Sequence, residues 1–495
     1  MQTKDTESPD ALSPDDGAGL AGRLAALLRA DPRVAAARVT VEPDPAGRPA
    51  LLAAIVPAPA WIGPARRQAE STQARMAIRT WARVFDGAYV TKDGAPAGPG
   101  YDSYNSALRG GVRMPVAELD PLRDHTVARV RTLRPNHVLE IGCGVGVLLE
   151  KIAPHCASYR GTDISAEAIA RLRAWAATQP GLRHVELGQR AAHELDDLPD
   201  GGIDTVIINS VVQYFPDHAY LERVLAVLAS KLSPGGHVFV GDVRDVRLLP
   251  AYNAAVALTR AAATETAGSL RRALHERIEK ELAIDPHAFA GLPGYAGARP
   301  LLRQFKLDNE MTRYRYDVVL STGAPPAGPT IEERPWTDAA SLPVRRRGEH
   351  APLWLRGIPN GRLTGDLAFL RVLQAAPAAT PVSVLREQAA ARQSAGEEPG
   401  EVALAAEQRG HRAEAICGAT PDCFDLLLSD PASPAPAVPP VAVRIEPSSD
   451  PSLPRLAAPL IESLKTSIAA GLPLAGPVAL VAVPAVPDGH GGRSC

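Results

Sequence analysis

The chain is poor in aromatic residues, which make up 4% of its 495 positions, and it has only five cysteines. Cys143, Cys156, Cys417, Cys423 and Cys495 form no CxxC pair and match no zinc spacing, so no structural zinc module is expected and no metal is assigned. A sparse, odd set of thiols fits a reducing compartment, and the expected location is cytoplasmic. Neither sign of charge dominates: 53 Lys and Arg face 55 Asp and Glu, for a net charge of −2. That excludes a broad electrostatic footprint for nucleic acid. No apolar run reaches about 18 residues without a charge, so no membrane-spanning helix and no membrane partner are expected. The polar start, MQTKDTESPD, has no apolar stretch of the kind a secretory signal needs. No internal repeat is present. Alanine is abundant, and 47 Pro and 41 Gly point to several loop-rich stretches. At this length two or three domains are expected.

Residues 1–18 read as a disordered tail. Residues 19–64 read as a small α+β piece, with a helix at Leu20–Arg29 and strands at Val34–Val41 and Leu51–Val56 around the turn-rich Asp44–Pro49. Pro57–Pro64 reads as a linker. In 65–322 a helix at Gln68–Phe85, stopped by Gly87, and an amphipathic helix at Val116–Leu133 precede regular alternation. Strands ending at Gly142, Thr162, Leu187, Asn209 and Asp242 alternate with helices such as Ala166–Ala177 and Ala219–Leu232. This pattern predicts an α/β fold with a doubly wound parallel sheet. Leu248–Glu281 reads as a long helical insert, and Leu301–Phe305 with Tyr314–Leu320 as a closing antiparallel pair. After the Gly/Pro-rich linker Gly323–Pro329, a second small α/β region is expected at 335–430. Its strands are read at Trp354–Ile358, Pro381–Leu385 and Cys423–Leu428. A loop-like Asp430–Pro440 leads to 441–495, with a helix at Pro459–Leu472 and a strand at Val478–Val483.

The sequence is organised around Val138–Gly146, VLEIGCGVG. An apolar run that stops at spaced glycines reads as a buried strand turning into a helix, where glycine lets the backbone approach a ligand. In an open α/β sheet, ligands bind beyond the carboxyl ends of the strands. Glu140, Gly142, Cys143, Gly144 and Gly146 are the first cofactor candidates. Asp163, with Ile164 beside it, ends the second strand, where a carboxylate accepts hydrogen bonds from both ribose hydroxyls of an adenosine. Gln189, Arg190 and Ala191 end the third strand, at the adenine edge. Asn209 and Ser210 end the fourth, at the reacting end. Ser165 fits the helix-capping role better than Asp163 does. Cys143 reads as a small loop residue, since no partner base accompanies it. The spacing leaves NAD and S-adenosylmethionine (SAM) as rivals. The NAD fingerprint G-x-G-x-x-G would place its third glycine at Val147, one residue after Gly146. This offset and the acid Glu140, which suits a cation-bearing cofactor, both favour SAM.

The segments VLEIGCGVGVLL, YRGTDIS, VIINSVVQYFP, GGHVFVGDVRDVRLL and NEMTRYRYDVVL together resemble the methyltransferase domains embedded in nonribosomal peptide synthetases. The resemblance runs from Trp81 to Leu320, and PNGRL at Pro359–Leu363 extends it to about residue 430. It implies a class I, Rossmann-like methyltransferase that binds SAM and methylates an aminoacyl or peptidyl group on a carrier protein, most often at nitrogen. The flanks are similar to the two halves of an adenylation-domain C-terminal subdomain. Leu28–Pro57 resembles its first half and Pro459–Arg493 its second. VPAVPDGHGGR, Val483–Arg493, lines up with the family's LPxTxNGKVDR loop, and His490 replaces the lysine that assists adenylate formation there. The large adenylate-binding domain is also missing, so no amino-acid activation is expected. The resemblance implies a free-standing methyltransferase acting in trans, with a degenerate flanking subdomain split in sequence. Where the family has a GWNSSY run, this chain has Ser103-Tyr104-Asn105-Ser106-Ala107-Leu108, which leaves the acceptor open. O- or C-methylation, a free small-molecule acceptor and a non-catalytic scaffold remain the alternatives.

Methyl transfer is an in-line displacement that needs an aligned, neutral nucleophile and little water. An ammonium acceptor must first lose a proton, so nearby carboxylates are candidate bases. Asp242 ends the fifth strand, and Asn309-Glu310 precedes the last. Asp242, Glu310, Asn309 and Tyr214 are the catalytic candidates. Tyr104, Asn105 and Arg244 are the candidates for the acceptor. The plain alternative pairs Asp242 with Arg244 or Arg313 and makes Glu310 a turn cap. Tyr214 and Tyr104 fit packing equally well. His125 reads as a surface or interface histidine.

Overall fold

The computed structural model describes residues 14–43, 49–89, 98–101, 104–277, 279–323, 330–346, 351–433, 435–436, 438, 443, 445–451, 453–472 and 478–483. The N-terminal element is helix α1 (Pro14–Ala30), followed by strands β1 (Val34–Pro43) and β2 (Pro49–Pro57). The helix begins before the predicted Leu20 and takes in residues 14–18 of the predicted tail, whose remainder, Met1–Ser13, lies outside the described residues. Pro57–Pro64 is not a linker. Helix α2 (Pro59–Tyr89) starts inside it, because a proline's fixed φ suits a first helical turn, and runs through Gly87.

Helix α3 (Val116–Arg131) leads into the apolar run. Strands β3 (His137–Ile141), β4 (Ser158–Asp163), β5 (Val185–Gln189), β6 (Ile203–Asn209) and β7 (Leu232–Asp245) then alternate with helices α4 (Ala166–Ala176) and α5 (His218–Lys231). The helical insert is two helices, α6 (Leu249–Arg260) and α7 (Ala267–Glu276). They separate where Thr266 caps the second by accepting from the Ser269 N–H. Strands β8 (Gly297–Leu301) and β9 (Arg315–Ser321) form the predicted antiparallel pair. The first of them stops at Leu301, earlier than expected, and leaves 302–308 without regular structure.

These seven strands have the order β5-β4-β3-β6-β7-β9-β8. β3 to β7 are parallel, and β9 runs antiparallel to β7. Both faces are covered, which is why the central strands are continuously apolar. Leu139, Val206 and Val240 pack with Leu221, Val224 and Leu228 of α5 on one face. Val138, Ile207 and Phe239 pack with Val130, Ile152 and Leu172 on the other.

The region 335–430 is not a separate sheet. Strands β10 (Glu332–Pro335), β11 (Leu353–Pro359), β12 (Arg412–Cys417) and β13 (Cys423–Ser429) extend the same twelve-stranded sheet, joined where Leu301 pairs with Ile416. Pro381–Leu385, predicted as a strand, starts a helix. After α8 (Thr364–Ala375), helix α9 (Val382–Ala391) buries Val382, Leu385 and Ala389, a spacing of three and four that the alternating reading overlooked. Helix α10 (Pro399–Glu407) completes this part.

The N-terminal piece and the last described elements form one unit. Helix α11 (Leu453–Gly471) and strand β14 (Val478–Ala482) complete the N-terminal piece, with β14 parallel to β2 in a three-stranded sheet. Leu24, Leu28 and Ile55 share a core with Leu460, Leu464 and Ile468. His490 lies outside the described residues. No helix among the described residues is long and apolar enough to cross a membrane.

Candidate active site

The strand order turns back between β3 and β6, so the loops after these strands face one another at the switch point. Gly142 and Gly144 follow β3 with φ of +75° and +50°. A Cβ on Gly142 would lie 2.2 Å from Val211 Cγ2, so a side chain fits neither the conformation nor the space. β4 delivers Asp163 to this loop. Its Oδ2 accepts the Gly144 N–H at 2.8 Å, and its Oδ1 accepts the Ser165 N–H at 2.8 Å. Burial raises the Asp163 pKa, and the backbone donors oppose that rise. Each carboxylate oxygen retains acceptor capacity for a ribose hydroxyl. Ser165 caps α4 by accepting from Ala168 N–H, the role read from sequence.

Glu140 is packed within the sheet, where Tyr159 donates to its Oε2 at 2.7 Å. Burial pushes its pKa up to about 7. Burial also raises the Cys143 thiol, which fits the reading of this residue as loop filler. Gln189 is exposed and donates to the Ile164 carbonyl at 3.2 Å. Arg190 N–H donates to the Asp163 carbonyl at 2.8 Å, and its guanidinium turns to Asp197. Ala191 N–H donates to Glu194 at 2.7 Å. The backbone of 189–191 therefore lies beside Asp163, while the Arg190 side chain leaves it.

At the reacting end, Ser210 and Asp242 have φ of +57° and +64° and are two of three non-glycine residues with positive φ among the described residues. Ser210 Oγ donates to Asp242 Oδ2 at 2.9 Å and accepts from Asn209 Nδ2 at 3.3 Å. Asn209 Oδ1 is buried without a protein partner. An unpaired buried carbonyl is costly, and it is the kind of acceptor an ammonium group needs. Positive-φ glycines without room for a Cβ, the Asp163 carboxylate and this acceptor together fit SAM.

Sequence reasoning missed how α2 covers the site. Trp81, Phe85 and Tyr89 recur every fourth residue, a detectable signal in a chain so poor in aromatics. The Trp81 and Phe85 rings lie 4.5 and 5.0 Å from the ring of Tyr214. Asp86 accepts from Ser165 Oγ at 2.7 Å, which ties the same helix to the start of α4. Tyr214 is thereby packed among aromatics, and burial raises its pKa.

On the acceptor side, Tyr104 lies beside Ser210, and burial raises its pKa. A small cleft lies beyond β7, lined by Arg244, Asp245, Tyr252, Glu310, Tyr314 and Arg315. Asp242 pairs with neither Arg244 nor Arg313. Its Oδ1 accepts from Arg303 at 3.0 Å and its Oδ2 from Arg315 at 2.6 Å, because β9 and the 302–308 segment approach β7 from its other side. Arg313 is taken by Asp308 and Asp366. Arg244 pairs with Glu279 and Glu281, both at 2.9 Å. With Ser210 included, three side-chain donors occupy Asp242, which suits an anchor better than a proton acceptor.

Glu310 accepts from Ser106 Oγ at 2.7 Å, Leu108 N–H at 3.2 Å and Ala107 N–H at 3.3 Å. It ties down the loop that sequence placed by the acceptor, rather than merely its own turn. Asn309 caps that turn, and its Nδ2 donates to Glu118 at 3.0 Å. Asn105 is exposed on a hairpin opposite Arg113, and Ser103 lies outside the described residues. His125 is not a surface residue. It accepts from Gln304 N–H at 3.3 Å beside the Phe305 ring, and burial lowers its pKa to about 2.

Residues 139–238 match the family described as a methyltransferase domain. The chain is 38% identical over 276 residues to chondramide synthase CmdD of Chondromyces crocatus, covering 52% of this chain and 7% of that one. It is 33% identical over 462 residues to a probable non-canonical nonribosomal peptide synthetase, CymA of Salinispora arenicola, covering 91% of this chain and 6% of that one. The chain thus spans under a tenth of the length of these curated relatives. Among solved structures, the N-methyltransferase NodS from Bradyrhizobium japonicum WM9 aligns at 17% identity and a TM-score of 0.31, covering 48% of this chain and 97% of that one. The fold and site define a class I SAM-dependent methyltransferase domain. The chain is a homologue of the methyltransferase-bearing nonribosomal peptide synthetases.

Proposed function

We propose that this chain methylates an aminoacyl or peptidyl group held as a thioester on a carrier protein, most often at the α-nitrogen, and that it acts in trans. The observation that carries this reading is the SAM-type loop with Asp163, in a chain similar over nearly its whole length to part of a peptide synthetase. When bound, SAM supplies an electrophilic methyl group. Asp163 would hold its ribose, the glycine loop would pass beneath it, and Asn209 Oδ1 would receive its ammonium. The aromatic face of α2 keeps water from the carboxyl edge of the sheet, which favours displacement by a neutral amine. Tyr104 and the loop pinned by Glu310 would orient the acceptor, and Asp242 would hold Ser210. The joined terminal pieces would serve as a docking subdomain of adenylation type.

The test is mass spectrometry of a panel of aminoacyl carrier proteins incubated with the chain and SAM. The expected result is a mass gain of one methylene on the aminoacyl group, placed on nitrogen by fragmentation. Equal rates on the free amino acids would reject carrier dependence. Gain on oxygen or carbon would reject N-methylation.

A further inference from the structure

Arg362, in the Pro359–Leu363 run, is buried and lies outside the methyl-transfer site described above. Its Nη1 donates to the carbonyls of Arg303 at 2.8 Å and Thr312 at 3.3 Å, and its Nη2 to the carbonyl of Phe305 at 2.8 Å. Its Nε donates to Glu398 at 2.6 Å. The Arg303 and Phe305 carbonyls sit on the stretch beyond Leu301 that has no regular structure, and buried carbonyls there need partners from elsewhere. A guanidinium fork reaches several such groups at once, which an ammonium on a flexible stem does not. The run is itself fixed. Asn360 Oδ1 accepts the Arg362 N–H at 3.2 Å, and Gly361 passes so close to Gly396 that a Cβ on it would lie 2.9 Å from the Gly396 carbonyl.

The segment held this way carries two contacts of the acceptor side. Arg303 donates from Nη1 to the Met311 carbonyl at 2.7 Å and from Nη2 to Asp242. Glu310 holds Ser106–Leu108, next to Tyr104, which lies beside Ser210. Ser210 and Asp242 have a backbone conformation that persists only where the surroundings over-determine it, and Arg303 is one of those surroundings. We propose that Arg362 is a positioning residue for the acceptor half of the site. It holds the 303–312 backbone so that Arg303 meets Asp242 and Glu310 meets the Ser106–Leu108 loop. The region after residue 330 is then part of the catalytic unit. The effect on turnover rests on the methyltransferase reading; the effect on the segment does not.

The experiment compares the full chain with its Arg362→Lys variant by hydrogen-exchange mass spectrometry and by calorimetric titration with S-adenosylhomocysteine. Exchange should rise about tenfold in 303–312 and 104–111, as expected for lost hydrogen bonds to a charged group, and stay unchanged at Gly142–Gly146. Affinity for S-adenosylhomocysteine should be retained. On the aminoacyl carrier-protein panel, kcat should fall about 100-fold with the KM for SAM unchanged, the scale of a small misplacement of reactants. A uniform rise in exchange that includes the glycine loop, or a parallel loss of affinity, would mean a merely structural role and overturn the proposal, as would unchanged exchange in 303–312. If the Lys variant does not fold, Glu398→Gln, which weakens the ion pair on the Arg362 guanidinium, should raise exchange at 303–312 and 104–111 and leave Gly142–Gly146 unchanged, and its failure to do so also overturns the proposal. If the unaltered chain binds no S-adenosylhomocysteine, the methyltransferase reading falls, and the exchange pattern still decides the placement of Arg362.

Discussion

Asp163 links the cofactor loop to the end of the second strand, because one carboxylate accepts from both Gly144 and Ser165. Asp163→Asn removes the charge that strengthens its hydrogen bonds and should raise the dissociation constant for SAM about 10- to 100-fold, read by calorimetry. A cooperative thermal transition near that of the original chain would show that the fold is kept. Glu140 behaves differently, since it faces Tyr159 inside the sheet. Its carboxyl keeps its proton to about pH 7 in the folded chain, against an ordinary value of 4.5. Between these values the folded state binds the extra proton. The contribution of this group to stability is therefore full below pH 4.5 and lost as pH rises through 7. Glu140→Gln should remove that slope, a difference on the order of 3 kcal/mol between the two ends of the window. Urea melts of both chains across pH measure it, and parallel pH profiles would contradict the burial argument.

At the scale of elements, close backbone crossings decide more than propensity does. A Cβ on Gly361 meets the Gly396 carbonyl, whereas one on Gly365, at the start of α8, has its nearest neighbour at an ordinary 3.7 Å. Gly361→Ala should destabilise the chain by about 1–3 kcal/mol. Gly365→Ala should leave it unchanged or raise stability by about 0.4–1 kcal/mol. Thermal melts of the pair test this, and equal losses would contradict it. The strands from Val138 onward were legible because their apolar runs end at glycine, Asp163 or Asn209, signals that are local in sequence. Pro57–Pro64 and Pro381–Leu385 were misread because proline punctuates a chain without saying which element follows it. The partners of Asp242 were not legible at all. Arg303 and Arg315 reach it only because β9 lies between β7 and β8, a choice made by the sheet and not by spacing. The aromatic face of α2 stood in the sequence, but its target, Tyr214, is more than a hundred residues away.

For the molecule as a whole, one sheet runs from the cofactor strands into the trailing region, and the first and last described elements build one small core. That small core is tied to the insert by Glu42, whose carboxylate meets Arg271 at 3.0 Å and whose carbonyl accepts from Arg272 at 2.9 Å. A chain stopped after Thr322 would lose Trp354, Ile416 and Leu427 from the cluster that contains Leu301 and Val319. Each such side chain contributes about 1.5–3 kcal/mol of burial, so this fragment should aggregate or melt without cooperativity. A soluble, cooperatively melting fragment would show the trailing region to be separable.

The central claim is that the loop at Gly142–Gly146, with Asp163 and Asn209, holds SAM. Calorimetric titration of the full chain with SAM tests it most directly. The account predicts one site of submillimolar affinity, weakened in Asp163→Asn while the fold is kept. Absence of binding at millimolar SAM, or equal binding by the variant, would contradict it.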